Sequence, residues 1–283
     1  MIYIVIPVFN RLIYTKACLE SLQKQTNKQF KVVVVDHGSS DGTSAHIKKY
    51  YPDTILLNGD ANMWWAAATN LGIKYALNND AKFILTLNND TVAEANYLEN
   101  LLEAVYQAPK DSLIGSSAIN STTKSVVFRG EILNAFNWFT ETSQNVVNKN
   151  YTPQFGLIEL THYPGRGLLI PMLVFKKIGL FDEVNFPHYM SDYEFTLRAR
   201  KAGFKIFCAY NALLGVYPEA SGANQLKNKK NIKNYYHHLF GMKGGANLPL
   251  FYKYALRHCP VYALPSFLLL GTIRRITGYW LKN

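Results

Sequence analysis

The feature that most constrains this chain is the alternation of short apolar runs with helix-like stretches over its first 90 residues. Tyr3 to Val8, Lys31 to Asp36, Thr54 to Leu57 and Lys82 to Leu87 read as buried strands, rich in Val and Ile. Between them, Thr15 to Gln25, Asp41 to Tyr50 and Ala66 to Leu77 place apolar residues at helical spacing, with Asp41 near an N-cap. Strands that alternate with helices imply right-handed crossovers and a doubly wound, mostly parallel α/β sheet with helices on both faces. Ligands of such sheets bind beyond the carboxyl ends of the strands. Asn10, Asp36, Asn88 and Asp90 all fall at those ends, which points to one polar cleft.

The remainder is less regular. Asn96 to Gln107 reads as a helix, and residues 110–165 are polar and aromatic, with weak strand signals at Val126 to Phe128 and Phe155 to Leu160. Leu168 to Val174 reads as a strand interrupted by Pro171, Ser191 to Ala202 as a helix and Lys205 to Tyr210 as a strand. Charge separates the last quarter from everything before it. The net charge is +11, yet after Glu219 there is no acid, while ten Lys and Arg fall between residues 220 and 283. The excess cation is therefore local, in a basic, aromatic, helical C-terminal region over 218–283.

Bulk properties narrow the class. A 48% hydrophobic content with only 17% charged residues describes a folded globular chain. Cys18, Cys208 and Cys259 fit no metal or redox spacing and read as reduced cytosolic thiols. The apolar start at Met1 lacks the basic flank and cleavage site of a signal peptide, and the run from Val261 to Ile273 is too short to span a bilayer. No Gly-x-Gly-x-x-Gly follows the first strand, which argues against a dinucleotide oxidoreductase.

Several blocks, in order, resemble the family-2 inverting glycosyltransferases. They are Ile6-Pro7-Val8-Phe9-Asn10, Val34-Val35-Asp36 through Asp41-Gly42-Thr43, Asn70-Leu71-Gly72, Leu87-Asn88-Asn89-Asp90, Gly179-Leu180-Phe181-Asp182-Glu183, and Ser191-Asp192-Tyr193-Glu194 leading to Arg198 and Gly203. The resemblance spans Met1 to about Tyr217 and is of the kind shared by bacterial rhamnosyl and polysaccharide-assembly transferases. It implies a GT-A fold over 1–217, with a nucleotide-sugar half (1–107) and an acceptor half (108–217). It also implies a nucleoside-diphosphate sugar donor, UDP or dTDP, and a Mg²⁺ or Mn²⁺ cofactor. The acceptor would be a glycan or a polyprenyl-diphosphate-linked glycan in cell-surface polysaccharide assembly.

The resemblance also implies roles. Pro7, Phe9, Asn10, Asp36, Asp41, Asn70 and Asn89 fall where nucleotide is bound; Asp36 would accept from the imide N–H of a pyrimidine base, as an acceptor-only carboxylate suits. Capping of the following turn explains Asp36 and Asp41 as well. Asp90, with Asn88 on the same side of the strand end, would meet the metal, although Asn88 stands where an acid is usual. Asp192 aligns with the base that takes the acceptor proton, with Ser191 in place of a usual Glu; an anion at a helix N-terminus is its plainer reading. Arg166, between two glycines, and Glu194 would orient acceptor or diphosphate. Trp64 and Trp65 suit either ring stacking or core packing. No His follows the last sheet strand to supply a further ligand, and Glu219 is the nearest substitute.

In the tail, Asn234-Tyr235-Tyr236-His237-His238 resembles a block found in members that act on lipid-linked glycans, so His237, His238 and Arg257 could meet a diphosphate. Cations interleaved with aromatics suit peripheral contact with the inner face of the cell membrane; a helical hairpin that forms a homodimer is the alternative. Two other classes remain as rivals. One is a nucleic-acid binder, for which the charge is too confined and no recognition motif is present. The other is a member that has lost catalysis, which Asn88 and Ser191 keep open.

Overall fold

The computed structural model describes residues 1–142, 156–217 and 230–281. β1 (Ile2–Val8), β2 (Phe30–Asp36), β3 (Ile55–Asn58) and β4 (Phe83–Thr86) pair in parallel, with β1 between β2 and β4. Helices α1 (Leu12–Gln23), α2 (Thr43–Tyr50) and α3 (Trp65–Leu77) make the crossovers. Successive residues of β1 serve opposite faces. Ile2, Ile4, Ile6 and Val8 pack with Cys18, Leu19 and Leu22 of α1, and Tyr3 and Val5 pack with Ala66, Ala68, Ile73 and Ala76 of α3. Such two-sided burial explains why these strands read as continuous apolar runs.

β5 (Thr91–Ala93) and α4 (Tyr97–Gln107) lead to β6 (Leu113–Asn120), which continues the main sheet. β7 (Val126–Phe128) pairs with β6, and β8 (Glu131–Leu133) pairs with β9 (Thr140–Thr142) as a small separate ribbon. β10 (Leu157–Leu160), β11 (Leu168–Pro171) and β12 (Ile206–Val216) complete a main-sheet order β10-β12-β6-β11-β4-β1-β2-β3. β11 is antiparallel to both β4 and β6 and so joins the parallel N-terminal strands to the second half of the sheet.

Three sequence expectations change here. β6 was not anticipated, because Gly115, Ser116 and Ser117 dilute its apolar signal; Ser116 is nevertheless fully buried, its hydroxyl bonded to Gly167 O at 2.6 Å and to the Tyr97 hydroxyl. The strand expected over Leu168 to Val174 stops at Pro171, where α5 (Met172–Ile178) begins, as proline at a helix entry permits. The last strand runs on past Tyr210 to Val216 through an irregularity between Ala209 and Leu213.

Helix α6 (Ser191–Lys201) lies on the α3 side of the sheet through Phe195 and Ala199. Its other side is covered by two C-terminal helices, α8 (Leu248–His258) and α9 (Leu264–Leu281), on which α7 (Ile232–Phe240) packs. Phe186, Leu197 and Trp138 form one cluster with Phe251, Tyr254, Ala255 and Phe267. Arg257 adds polar bonds to this seam, to Asp182 at 2.6 Å and Glu194 at 3.3 Å. Glu219, Lys227, Lys229 and the start of the Phe155 strand signal lie outside the described residues.

Candidate active site

Two loops meet at the carboxyl ends of β1 and β2. Asn10 and Arg11 both adopt positive φ, 57° and 66°, which turns the chain sharply off β1 into α1. The Asn10 side chain accepts from Ser40 N at 2.8 Å, and its own N–H donates to the Ser39 hydroxyl at 2.7 Å. Asp41 accepts from Leu12 N at 2.8 Å and from the Thr43 hydroxyl at 2.6 Å, so it sews the second loop to the first turn of α1. Those bonds lower its pKa against the opposing effect of partial burial. Asp36 is buried at the end of β2, accepting from Ser39 N at 2.9 Å and from the Ser44 hydroxyl. Phe9 stays 43% exposed and stacks on the His37 ring, centroids 5.3 Å apart. Burial pulls the His37 pKa down even though Asp36 is adjacent. An exposed aromatic face thus sits beside a buried carboxylate.

Pro7 does not belong to this surface. Val5 O accepts from Leu87 N and Val8 O from His37 N, so odd residues of β1 turn toward β4 and even ones toward β2. β4 ends opposite Val5, and Pro7, with no N–H to give, sits buried past that end. It serves the frame. Asn70 is likewise a correction: both its amide hydrogens are spent, on Phe181 O (2.9 Å) and Glu183 Oε2 (2.6 Å), its oxygen accepts from Phe181 N (3.1 Å), and at 2% exposure it latches α3 to the Phe181 segment instead of facing the cleft. In the same block, a Cβ on Gly72 would lie 2.5 Å from Val5 Cγ1, so glycine lets α3 sit directly on β1.

At the end of β4 the three polar residues diverge. Asn89 is buried and donates to the Thr15 hydroxyl at 3.0 Å, a bond that holds α1. Asn88 accepts from the indole N–H of Trp65 at 2.9 Å. Asp90 is half-buried and pairs with Arg11 at 3.3 Å. Among the described residues no three His, Cys, Asp or Glu side chains converge as a metal cage. The donor set fits a divalent cation only as one carboxylate of an open site, completed by diphosphate oxygens and water.

Asp192 stands at the opposite side of the opening, in the first turn of α6, after Met190 turns the chain with φ 67°. Its carboxylate accepts from Gly165 N and from Tyr193 N, both at 2.9 Å. Burial raises its pKa; those hydrogen bonds and the nearby His162 oppose the rise without cancelling it. Trp65 connects this side to β4. A Cβ on Gly165 would lie 2.4 Å from the Trp65 ring and 3.4 Å from Asp192 Cβ. The indole therefore links Asn88 to Gly165, whose N–H bonds Asp192, and the sequence expectation for Trp65 resolves toward a structural role. Trp64 packs on His188, centroids 5.5 Å apart. Arg166 follows Gly165, half-buried and with no hydrogen-bond or ion-pair partner among the described residues. Its charge lowers the pKa of Tyr193 against the dominant effect of burial, which places it near the first turn of α6.

Glu194 and His238 face other ways. Glu194 is fully buried and meets Arg198 at 3.0 Å, Arg257 at 3.3 Å and His258 at 3.5 Å, so it binds α6 to α8 and cannot orient an acceptor. His238 is buried against Tyr279, 5.2 Å between centroids, while His237 is exposed on α7. Arg257, committed to Asp182 and Glu194, is not free for a diphosphate. Sequence reasoning missed Arg11, whose signal was a cation immediately after the first strand's Asn10. It also missed the buried His162, bonded to Glu131 at 2.8 Å with its ring edge-on to Tyr193. Glu131 and His162 lie in the stretch that carried no periodic signal.

A mixed, mostly parallel sheet with its polar cleft at the strand ends, a carboxylate at the end of β4 and another opening α6 define the GT-A class of nucleotide-sugar fold. Solved structures of that class superpose on the whole chain. Staphylococcus aureus TarS 1-349 matches with a TM-score of 0.57 at 16% identity over 99% of this chain and 72% of that one. GalNAc-T7, solved with UDP, GalNAc and Mn²⁺, matches with a TM-score of 0.62 at 13% identity over 99% of this chain and 58% of that one. The sequence pattern of Glycosyl transferase family 2 matches residues 3–175, and the chain belongs to that family. Among curated relatives, an uncharacterized glycosyltransferase of Rickettsia typhi is 29% identical over 188 residues, 65% of this chain and 54% of its own length. Glycosyltransferase GlyA of Streptococcus pneumoniae is 28% identical over 117 residues, 41% of this chain and 16% of its own. The chain thus spans about half the length of the first relative and less of the second.

Proposed function

We propose that this chain transfers a sugar from a nucleoside-diphosphate sugar, UDP- or dTDP-linked, to a glycan or polyprenyl-diphosphate-linked glycan, with inversion at the anomeric carbon. The observation that carries the reading is Asp192: a half-buried carboxylate with a raised pKa, held by two backbone N–H groups, one of them from Gly165, which packs on the Trp65 indole bonded to Asn88. A base placed across the cleft from the leaving group takes the acceptor's hydroxyl proton as that oxygen attacks. The new C–O bond forms on the face opposite the departing diphosphate, and the bond to the diphosphate oxygen breaks, so configuration inverts.

The other residues divide the remaining work. Asp36 receives the imide N–H of a pyrimidine, with Phe9 and His37 beside it and Asn10 and Asp41 holding the loop. Arg166 balances phosphate charge or orients the acceptor. Asp90 would contribute one oxygen ligand to Mn²⁺ or Mg²⁺, which would offset charge on the leaving nucleotide; the presence of UDP and Mn²⁺ in the GalNAc-T7 structure supports this reading by likeness of fold. The setting is polysaccharide assembly on the cytoplasmic side of the cell membrane. A thermal-shift panel of UDP, dTDP, GDP and CDP sugars, each with and without Mn²⁺, tests the donor. Stabilisation by a pyrimidine nucleotide only with Mn²⁺ is the expected result, and no stabilisation by any member sinks the proposal.

A further inference from the structure

Helix α9 is apolar on two sides. Its inner side is anchored: Phe267 packs on Phe251, and a Cβ on Gly271 would lie 2.3 Å from that same ring. Arg275 turns inward over Phe251, 3.6 Å from the ring centre, and Tyr279 is fully buried. The outer side should then be polar, as on an ordinary surface helix. Instead Leu269, Leu270, Ile273, Ile276, Trp280 and Leu281 lie exposed, from 40% at Ile276 to 78% at Leu281. At 3.6 residues per turn these six fall within an arc of about 140°. Arg274 lies on the flank of that arc, exposed and without an ion-pair partner among the described residues. Lys230 marks its end, bonded to Trp280 O at 3.2 Å.

An exposed apolar stripe needs an occupant. No helix among the described residues is long and apolar enough to cross a membrane, and two arginines sit in the middle of α9. A second copy is a poor fit. A two-fold pairing on this face would bring Arg274 and Lys230 of both chains together, in a segment with no acid after Glu219 to offset them. An anionic lipid surface fits both properties, since it takes apolar side chains at the headgroup boundary and attracts the cations around them. We infer that the outer face of α9 lies in the plane of an anionic bilayer, with Leu269, Ile273 and Trp280 inserted and Arg274 and Lys230 against headgroup phosphates. Because α9 is packed on α8, and α8 is bonded through Arg257 to the helix that carries Asp192, docking fixes the cleft's orientation to the membrane. That this presents a lipid-linked acceptor rests on the function proposed above; the docking itself does not.

Co-sedimentation of the full chain with vesicles tests it, comparing phosphatidylcholine alone with phosphatidylcholine containing phosphatidylglycerol. Binding is expected only to the mixed vesicles, weakened by salt. The double variant Ile273→Ser with Trp280→Ser should bind at least about tenfold more weakly, as should Arg274→Glu with Lys230→Glu. All four positions are on the surface, and an unchanged melting temperature for each variant shows that the fold is kept. Equal binding to both vesicle types, or binding that neither double variant weakens, overturns the inference. So does a dimer in sedimentation velocity that Ile273→Ser with Trp280→Ser dissociates. Nucleotide-induced thermal shifts are expected to be the same in all variants, so failure of lipid binding is read separately from failure of the glycosyltransferase proposal.

Discussion

At the scale of single residues, Asp192 holds the chemistry proposed for this fold. Asp192→Asn keeps a polar group of the same shape but cannot take a proton, so turnover should fall by about 10²-fold or more while nucleotide affinity stays near that of the parent; kinetics beside calorimetric titration with nucleotide would show the split. The sign of its pKa shift gives a second expectation. Burial makes the charged form costlier, so the group regains its proton at a higher pH than an ordinary carboxylate. The rate should therefore fall on acidification with a midpoint above the usual Asp range, and Asp192→Asn should remove that limb. Gly165→Ala probes the neighbouring wall. Its Cβ would strike the Trp65 ring at 2.4 Å, and the overpacking should cost about 1–3 kcal/mol in urea unfolding.

At the scale of elements, strands β1, β2 and β4 and their helices were legible because burial on both faces writes itself as unbroken apolar runs. β6 was not, since its buried Ser116 and Ser117 look polar and their partners are set only by tertiary contacts. The site shows the same division. Asp36, Asp41, Asp90 and Asp192 could be placed from strand ends and a helix start. That Asn70 and Glu194 are latches could not be read, because Phe181 lies 111 residues from Asn70 and Arg257 lies 63 residues beyond Glu194. Asp182 gives a pH test of this packing. Although partial burial favours its neutral form, bonds from Arg257 and Asn185 hold its pKa down to about 2. A lowered folded pKa contributes stability that is complete above the unfolded value and lost as pH falls through the folded one. Melting temperature should thus drop between about pH 4 and pH 2, and Arg257→Ala should flatten that slope. Glu194→Ala, which leaves Arg198 and Arg257 facing a void, should destabilise by about 3 kcal/mol.

At the scale of the molecule, a boundary near residue 217 separates compositions more cleanly than it separates structure. Phe186 and Leu197 share one cluster with Phe251 and Phe267. A chain ending at Tyr217 should expose that cluster and unfold without a sharp transition, which scanning calorimetry would record. The open, single-carboxylate arrangement at Asp90 also makes a whole-protein statement. Mn²⁺ alone should leave the melting temperature almost unchanged, and Mn²⁺ with the preferred nucleotide should raise it, because the diphosphate supplies the missing ligands.

Trp65 carries a further consequence. Its indole N–H bonds Asn88 at the end of β4, and its ring lies against Gly165, whose N–H bonds the Asp192 carboxylate. The chain has thereby an intrinsic fluorophore seated between the β4 end and the proposed acceptor side. Its emission should shift when nucleotide reorganises the strand end, and Trp65→Phe should silence that change, so occupancy of the cleft can be followed without a label and without turnover.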